Sequence, residues 1–329
     1  MATQSYFKKL PETEASWRRA ATAADVVQKT LGSYQGLRSG SKTTQTQFLL
    51  YRTICPKIKK PGDFNGANFN LAQNLATARA RLAASQDFQD YLAVVGTDNQ
   101  PANVTRFEDV HEQQREVIRG LDNPDDPLKK HDEDVVNACF ILMLQRILKT
   151  DSLDGPLPMT KKWRLSKIRL TADFSTTSQT RRGVASRQHR YTAITDGQLQ
   201  DIATGKIEAI VECKLRERKY HSPDCDMQEV SEALALIKQY PDARSKEEHQ
   251  RVTVSQDGRE LYISFHNYDN SWLDYVENQT LTAKTSLMTT RRSNEDRFHC
   301  TSILKFVIPG RKVDWVLSNE PAPHRGAEV

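Results

Sequence analysis

The chain has 329 residues, 37% of them hydrophobic and 27% charged, with a formal charge of +5, which is the composition of a globular protein with one large domain or two smaller ones. No apolar run approaches the roughly eighteen residues of a membrane span, and Met1 to Arg19 lacks the apolar stretch of a signal peptide, so an intracellular protein of nucleus or cytoplasm, with no membrane partner, is expected. The five cysteines (Cys55, Cys139, Cys213, Cys225, Cys300) are odd in number and form no CxxC pair, which argues against a disulfide framework and a structural zinc site and leaves the sequons at Asn103 and Asn278 without a role.

The first part of the chain reads as helical. Helix formers run from Ala15 to Leu31, and Gln45 to Ile58 predicts a second, short helix before Pro61-Gly62. Leu71, Leu75, Ala78, Leu82, Phe88, Leu92 and Val95 recur at helical spacing, predicting one amphipathic helix of roughly seven turns that Gly96 ends. Gly32 to Lys42 and Thr97 to Asn103 read as loops, Phe107 to Leu121 as a helix, and Asn123 to Pro127 as its break. Asp132 to Leu148 is an apolar helix whose only acids, Asp132, Glu133 and Asp134, sit in the first turn. Two readings fit them: they offset the helix dipole and cap free amides, or one of them, Glu133 foremost, projects toward the sheet as a metal ligand.

The positive charge is concentrated. From Lys161 to Arg190 the basic residues are Lys161, Lys162, Arg164, Lys167, Arg169, Arg181, Arg182, Arg187 and Arg190, against the single acid Asp173. The rest of the chain is therefore slightly negative. Such a segment is either an electrostatic footprint for nucleic acid or a solvated basic hairpin. Within it Trp163 to Phe174 reads as a strand and Ser175 to Gly183 as a turn.

A strand from Tyr191 to Leu199 follows, then a turn from Asp201 to Lys206, then a strand ending Ile207-Glu-Ala-Ile-Val-Glu-Cys-Lys-Leu215. Alternation sends Ala209, Val211, Cys213 and Leu215 to one face and Glu208, Ile210, Glu212 and Lys214 to the other. Charge on a core-like strand needs a reason. If the preceding strand folds back alongside, Asp196 joins Glu212 and Lys214 at one sheet edge, an arrangement suited to a hard divalent cation and a scissile phosphate.

Beyond this point Met227, Val230, Leu234 and Ile237 predict a helix that stops before Pro241. Val252 to Ser255 and Glu260 to His266 predict a hairpin around Asp257-Gly258, Ser271 to Asn278 a short helix, and Ile303 to Ile308 a last strand. This order of elements predicts an α/β sandwich with a mixed sheet. Trp163 and Tyr262 read as core residues. His131, His189, His221 and His299 lack ligand spacing, and neither a phosphate-cradling Gly-rich loop nor a serine or cysteine hydrolase motif is present.

The succession Glu133-Asp-Val-Val-Asn137, Thr195-Asp196-Gly197, Ile210-Val-Glu-Cys-Lys214 and Met227-Gln228-Glu229, with Ser255 to Tyr262 on the later hairpin, resembles the motif series of the PD-(D/E)XK nuclease superfamily. Within it, the chain is most similar to the nuclease-like domain of uncharacterised filamentous-fungal proteins. The second motif is Asp-Gly where many members have Pro-Asp. The resemblance covers Leu121 to Trp315. It implies a restriction-endonuclease-like α/β sandwich with a central mixed sheet, over residues 121–318, preceded by a helical N-terminal region (1–120) and followed by a flexible tail (319–329).

By this resemblance the protein is a metal-dependent nuclease that hydrolyses DNA or RNA. Asp196 and Glu212, with Glu133 in support, would ligate Mg²⁺ or Mn²⁺. Lys214 would hold the attacking water or offset charge on the phosphorane, and Gln228 would orient Lys214 or the substrate. The nine basic residues from Lys161 to Arg190 would grip phosphates. The alternative is a catalytically idle nuclease-like fold that binds nucleic acid or a protein.

Overall fold

The computed structural model describes residues 5–58, 65–69, 71–95, 106–122, 133–149, 160–180, 183–187, 189–279, 281, 286–288 and 301–307, with backbone alone for 121–122, 176–180, 183–187 and 301–307. The features expected at Pro61-Gly62, Gly96, Thr97 to Asn103, Asn123 to Pro127, Asp132, Arg181, Arg182 and Ile308, and the tail 319–329, lie outside the described residues.

Eight α-helices and ten strands are described, in a mixed α/β arrangement. The helices are α1 (Glu14–Ala23), α2 (Gln45–Leu50), α3 (Ala72–Ala84), α4 (Gln86–Val94), α5 (Glu108–Asp122), α6 (Glu133–Leu148), α7 (Asp224–Gln239) and α8 (Asn270–Asn278). The strands are β1 (Lys161–Arg164), β2 (Ile168–Asp173), β3 (Thr176–Thr180), β4 (Gly183–Arg187), β5 (Arg190–Thr195), β6 (Gly197–Asp201), β7 (Ile207–Lys214), β8 (Glu248–Asp257), β9 (Glu260–Asp269) and β10 (Thr301–Val307). Six of them form one sheet in the order β1-β6-β7-β8-β9-β10. Only β7 and β8 run parallel, and α7 is the crossover that this requires.

Helices cover both faces. On one side α1, α2, α7 and α8 bury Trp17, Phe48, Tyr51, Leu234 and Trp272 against β2, β5 and Ile210. On the other, α4, α5 and α6 bury Phe107, Val136 and Phe140 against Trp163, Ala209, Val211 and Cys213. The alternation read along β7 is therefore the real division between the two cores. The first two helices are part of the first core. The Trp17 indole donates to the Leu49 carbonyl at 3.1 Å, Trp272 to that of Tyr51 at 3.0 Å and the Tyr275 hydroxyl to that of Leu50 at 2.6 Å. These side chains add hydrogen bonds to the carbonyls at the end of α2.

Several element limits differ from the sequence reading. The single long helix from Leu71 to Val95 is two helices, because the Ser85 hydroxyl accepts the Phe88 N–H at 3.3 Å and caps α4. Helix α1 stops at Ala23 rather than Leu31, where Asp25 takes a left-handed conformation (φ 53°). Helix α2 ends at Leu50 rather than Ile58, with Arg52 at φ 52°. The span Ser175 to Gly183, expected as a turn, is mostly strand, since β3 pairs with β4 from Thr176 opposite Arg187 to Thr180 opposite Gly183.

The two strands expected to run unbroken through Trp163–Phe174 and Tyr191–Leu199 are each interrupted. Arg164 pairs with Gln198 and Ile168 with Thr195, so Leu165 to Lys167 oppose only Asp196 and Gly197. This bulge bends the hairpin between the main sheet and the β2–β5 ribbon. Gly197 sits at its tightest point, where an added Cβ would lie 2.6 Å from the Arg164 carbonyl oxygen. Among the described residues, no helix is long and apolar enough to cross a membrane.

Candidate metal centre

Asp196 is the residue at the bend between β5 and β6. Its N–H donates to the Val211 carbonyl at 2.9 Å, and its carboxylate Oδ2 accepts the Cys213 N–H at 2.9 Å. The Asp196 carbonyl, which a regular ladder would pair, instead accepts from Asn137 Nδ2 on α6 at 2.9 Å. One side chain from α6 thus completes the backbone bonding at the bend, and the Cys213 N–H holds the carboxylate toward β7.

Glu212 and Lys214 lie on the face of β7 that α7 covers. Glu212 is 2% exposed. Its Oε1 accepts from Lys214 Nζ at 2.5 Å and from Gln228 Nε2 at 2.5 Å, while its Oε2 is buried with no hydrogen-bond partner. Lys214 Nζ also reaches Glu133 Oε1, on the first residue of α6, at 3.0 Å. Glu133, Asp196 and Glu212 each present an oxygen within 4.8 Å of the others, close enough for one cation to bridge, given oxygen–metal contacts of just over about 2 Å. Glu133 and Lys167 form the exposed side of this cluster and Glu212 its floor. The fit to a hard divalent cation rests on the all-carboxylate donor set and on the orphaned, buried Glu212 oxygen.

The electrostatics reinforce the arrangement. Burial, and then the neighbouring Glu232 carboxyl, push the Glu212 pKa well above the ordinary carboxylate value. Glu232, buried on α7 one turn beyond Gln228, is raised to about 8, chiefly by desolvation. Gln228 Nε2 links the two acids, with Glu232 Oε1 at 2.9 Å, and Glu232 Oε2 is a second buried oxygen without a partner. Burial works against the charge on Lys214, but the Glu212 and Glu133 carboxylates outweigh it and raise its pKa. Two close carboxylates compensated by one ammonium favour a bound cation or a proton.

Of the residues singled out in the sequence, Glu133, Asp196, Glu212, Lys214 and Gln228 converge here. The basic segment is more dispersed. Lys162, Arg164, Lys167, Arg169 and Arg190 are exposed on β1, β2, β5 and the bulge. Lys161 lies 3.5 Å from Glu208, Arg190 is paired across the ribbon with Asp173, and the Arg187 side chain is outside the description. Among the described residues of this segment, Lys167 alone has an ion pair with the cluster, its Nζ 3.3 Å from Asp196 Oδ1.

Sequence reasoning missed two members. Asn137 stands within the first motif, and its sign is an amide one turn beyond Glu133 in an otherwise apolar helix, where it is buried. Glu232 follows Gln228 by four positions, which places both on one helix face. A further network lies behind the site. Arg218 is buried and donates to Asp257 Oδ2 at 2.6 Å, to Asp226 Oδ1 at 2.9 Å and to Ser255 Oγ at 2.9 Å. It also pairs with Glu229, and its guanidinium stacks on Tyr262 at 3.9 Å. This network ties the loop after Lys214 to α7 and to the β8–β9 hairpin, fixing where Gln228 begins its reach. Asp257-Gly258 forms the turn of that hairpin as expected, with Gly258 at φ 58°. The Cys213 thiol is pushed well up by burial and then by Asp196, so it stays protonated and is no nucleophile. No protein-family model matches the chain, and no curated protein matches it.

Proposed function

We propose that the protein is a metal-dependent phosphodiesterase of nucleic acid, with the restriction-endonuclease-like arrangement that its motif series implies. The observation that carries this reading is the gathering of Glu133, Asp196 and Glu212 within 4.8 Å of one another beside the ammonium of Lys214. Asp196, Glu212 and Glu133 would hold Mg²⁺ or Mn²⁺, which when bound supplies Lewis-acid polarisation of the phosphate and a more acidic water. Lys214, held charged by its two carboxylates, offsets negative charge as water oxygen attacks phosphorus and the P–O bond to the leaving group breaks. Gln228 fixes the rotamer of Glu212 through Oε1 and leaves Oε2 free to act as a ligand. The exposed cations of β1, β2 and the bulge supply the phosphate-binding surface.

The test is incubation of the purified full chain with single- and double-stranded DNA and RNA and Mg²⁺ or Mn²⁺, beside Asp196→Ala and Lys214→Ala. Cleavage by the wild type that both substitutions abolish is the expected result. Salt-sensitive binding with no cleavage by any of the three proteins would replace this reading with a binding module built on the same fold.

A further inference from the structure

Asp196 has two carboxylate oxygens with different fates. Oδ2 is fixed by the Cys213 N–H at 2.9 Å. Oδ1 faces Lys167, whose Nζ lies 3.3 Å away and also sits 3.2 Å from Asp134 Oδ1. The bulge is responsible for this placement, because Lys167 is the last of the three residues that oppose Asp196 and Gly197. The Lys167 side chain is 51% exposed and that of Asp134 78%, whereas the Asp196 side chain is 11% exposed. An ammonium on a half-exposed stem therefore occupies the Asp196 oxygen that is not bonded to the backbone. Lys214 differs: it is 18% exposed and serves Glu133 and Glu212 instead.

We propose that Lys167 is the resident counter-ion of Asp196 and that a divalent cation takes its place, leaving the ammonium tethered to Asp134 at the mouth of the site, in position to meet a substrate phosphate. The inference rests on the metal-dependent reading above. Two cations on one carboxylate oxygen repel each other strongly at this range, and an ammonium with a second, exposed acid beside it is the one free to move. The same residue then neutralises the site without metal and adds a phosphate contact with it, so metal and nucleic acid support each other's binding.

The experiment measures Mn²⁺ binding to the full chain by calorimetry, in wild type and Lys167→Ala, and the rate at which an amine-acetylating reagent labels Lys167, with and without saturating Mn²⁺. Lys29, paired with Asp25 in the N-terminal region, is the internal standard. Lys167→Ala should bind Mn²⁺ about two- to five-fold more tightly, the scale of a partly exposed ion pair. Labelling of Lys167 should accelerate with Mn²⁺ while that of Lys29 stays constant. Absence of Mn²⁺ binding by the wild type would overturn the metal reading and this inference with it. Binding by the wild type, with either an unaltered affinity in Lys167→Ala or an unaltered labelling rate at Lys167, would overturn the displacement alone.

Discussion

Lys214 Nζ lies 2.5 Å from Oε1 of Glu212, two residues earlier on the same strand, and the pair is largely buried, with Glu212 3% and Lys214 18% exposed. Glu212 takes its compensating charge from Lys214, whereas Lys214 also has Glu133. Lys214→Met should therefore destabilise the metal-free protein by about 2–4 kcal/mol, since it leaves Glu212 as an uncompensated buried acid. The double substitution Glu212→Gln with Lys214→Met should recover most of that loss. Urea denaturation of the two single variants and the double variant gives the coupling; additive losses would show that the pair is not a unit.

The raised pKa of Glu232 gives a pH dependence of definite sign. In the fold this carboxyl titrates at about 8, against an ordinary 4.5. Between those values the native protein holds a proton that the unfolded chain has released, so stability declines as pH rises through that window. Glu232→Gln imitates the protonated form. It should be more stable than the wild type at pH 8, by about 1–3 kcal/mol, with the advantage fading toward pH 5. The residual slope belongs to Glu212, whose pKa is shifted in the same direction. Urea midpoints at pH 5, 6.5 and 8 check this.

Metal binding should appear as stabilisation without any substrate. At a free Mn²⁺ concentration of about 100 times Kd, the wild type should gain about 2.7 kcal/mol. Asp196→Asn and Glu212→Gln should each lose this gain while remaining folded. Thermal unfolding with Mn²⁺ and with a chelator makes the comparison, and an equal Mn²⁺ shift in all three proteins would place the ion elsewhere.

Asn137 is expected to act through the backbone. Asn137→Ala deprives the Asp196 carbonyl of its donor in a buried position, which costs about 1–2 kcal/mol, and loosens the bend that aims the Asp196 carboxylate. Weaker Mn²⁺ binding than in the wild type, in a protein whose far-UV spectrum is unchanged, is the expected outcome. Stability loss with intact Mn²⁺ affinity would make Asn137 a packing residue only.

Much of this site was legible because it lies where one-dimensional pattern and three-dimensional consequence coincide. Acid and lysine two apart on a strand must share a face, and β7 keeps that face against α7. The convergence of Asp196 was legible too, since a short turn makes β7 the partner of β6 and so brings the residue just before β6 alongside Glu212. Asn137 and Glu232 escaped notice because a buried amide or acid on an apolar helix declares its partner only once the helix has a rotation. The interrupted strands escaped for a similar reason: the bulge opposite Asp196 is set by cross-strand register and by the close approach of Gly197 to Arg164, and neither leaves a mark in the hydrophobic period. Arg218 opens a single 3-10 turn between β7 and α7, and its three acids are distributed over α7 and β8, so only the tertiary fold assembles them. In the N-terminal half the helices were visible but their ends were not, because Ser85 reads equally well as a helix interior or a cap until the chain bends there.

The donation of Trp272 to the Tyr51 carbonyl joins residues 221 positions apart, and this has a consequence for biosynthesis. At ribosomal rates of about 5–20 residues per second, roughly 10–45 seconds separate the emergence of α2 from that of α8. For that interval Trp17, Phe48 and Tyr51 lack the surface that eventually encloses them. The nascent protein thus has a vulnerable period set by connectivity, in which these aromatic side chains remain open to solvent until α8 has been synthesised.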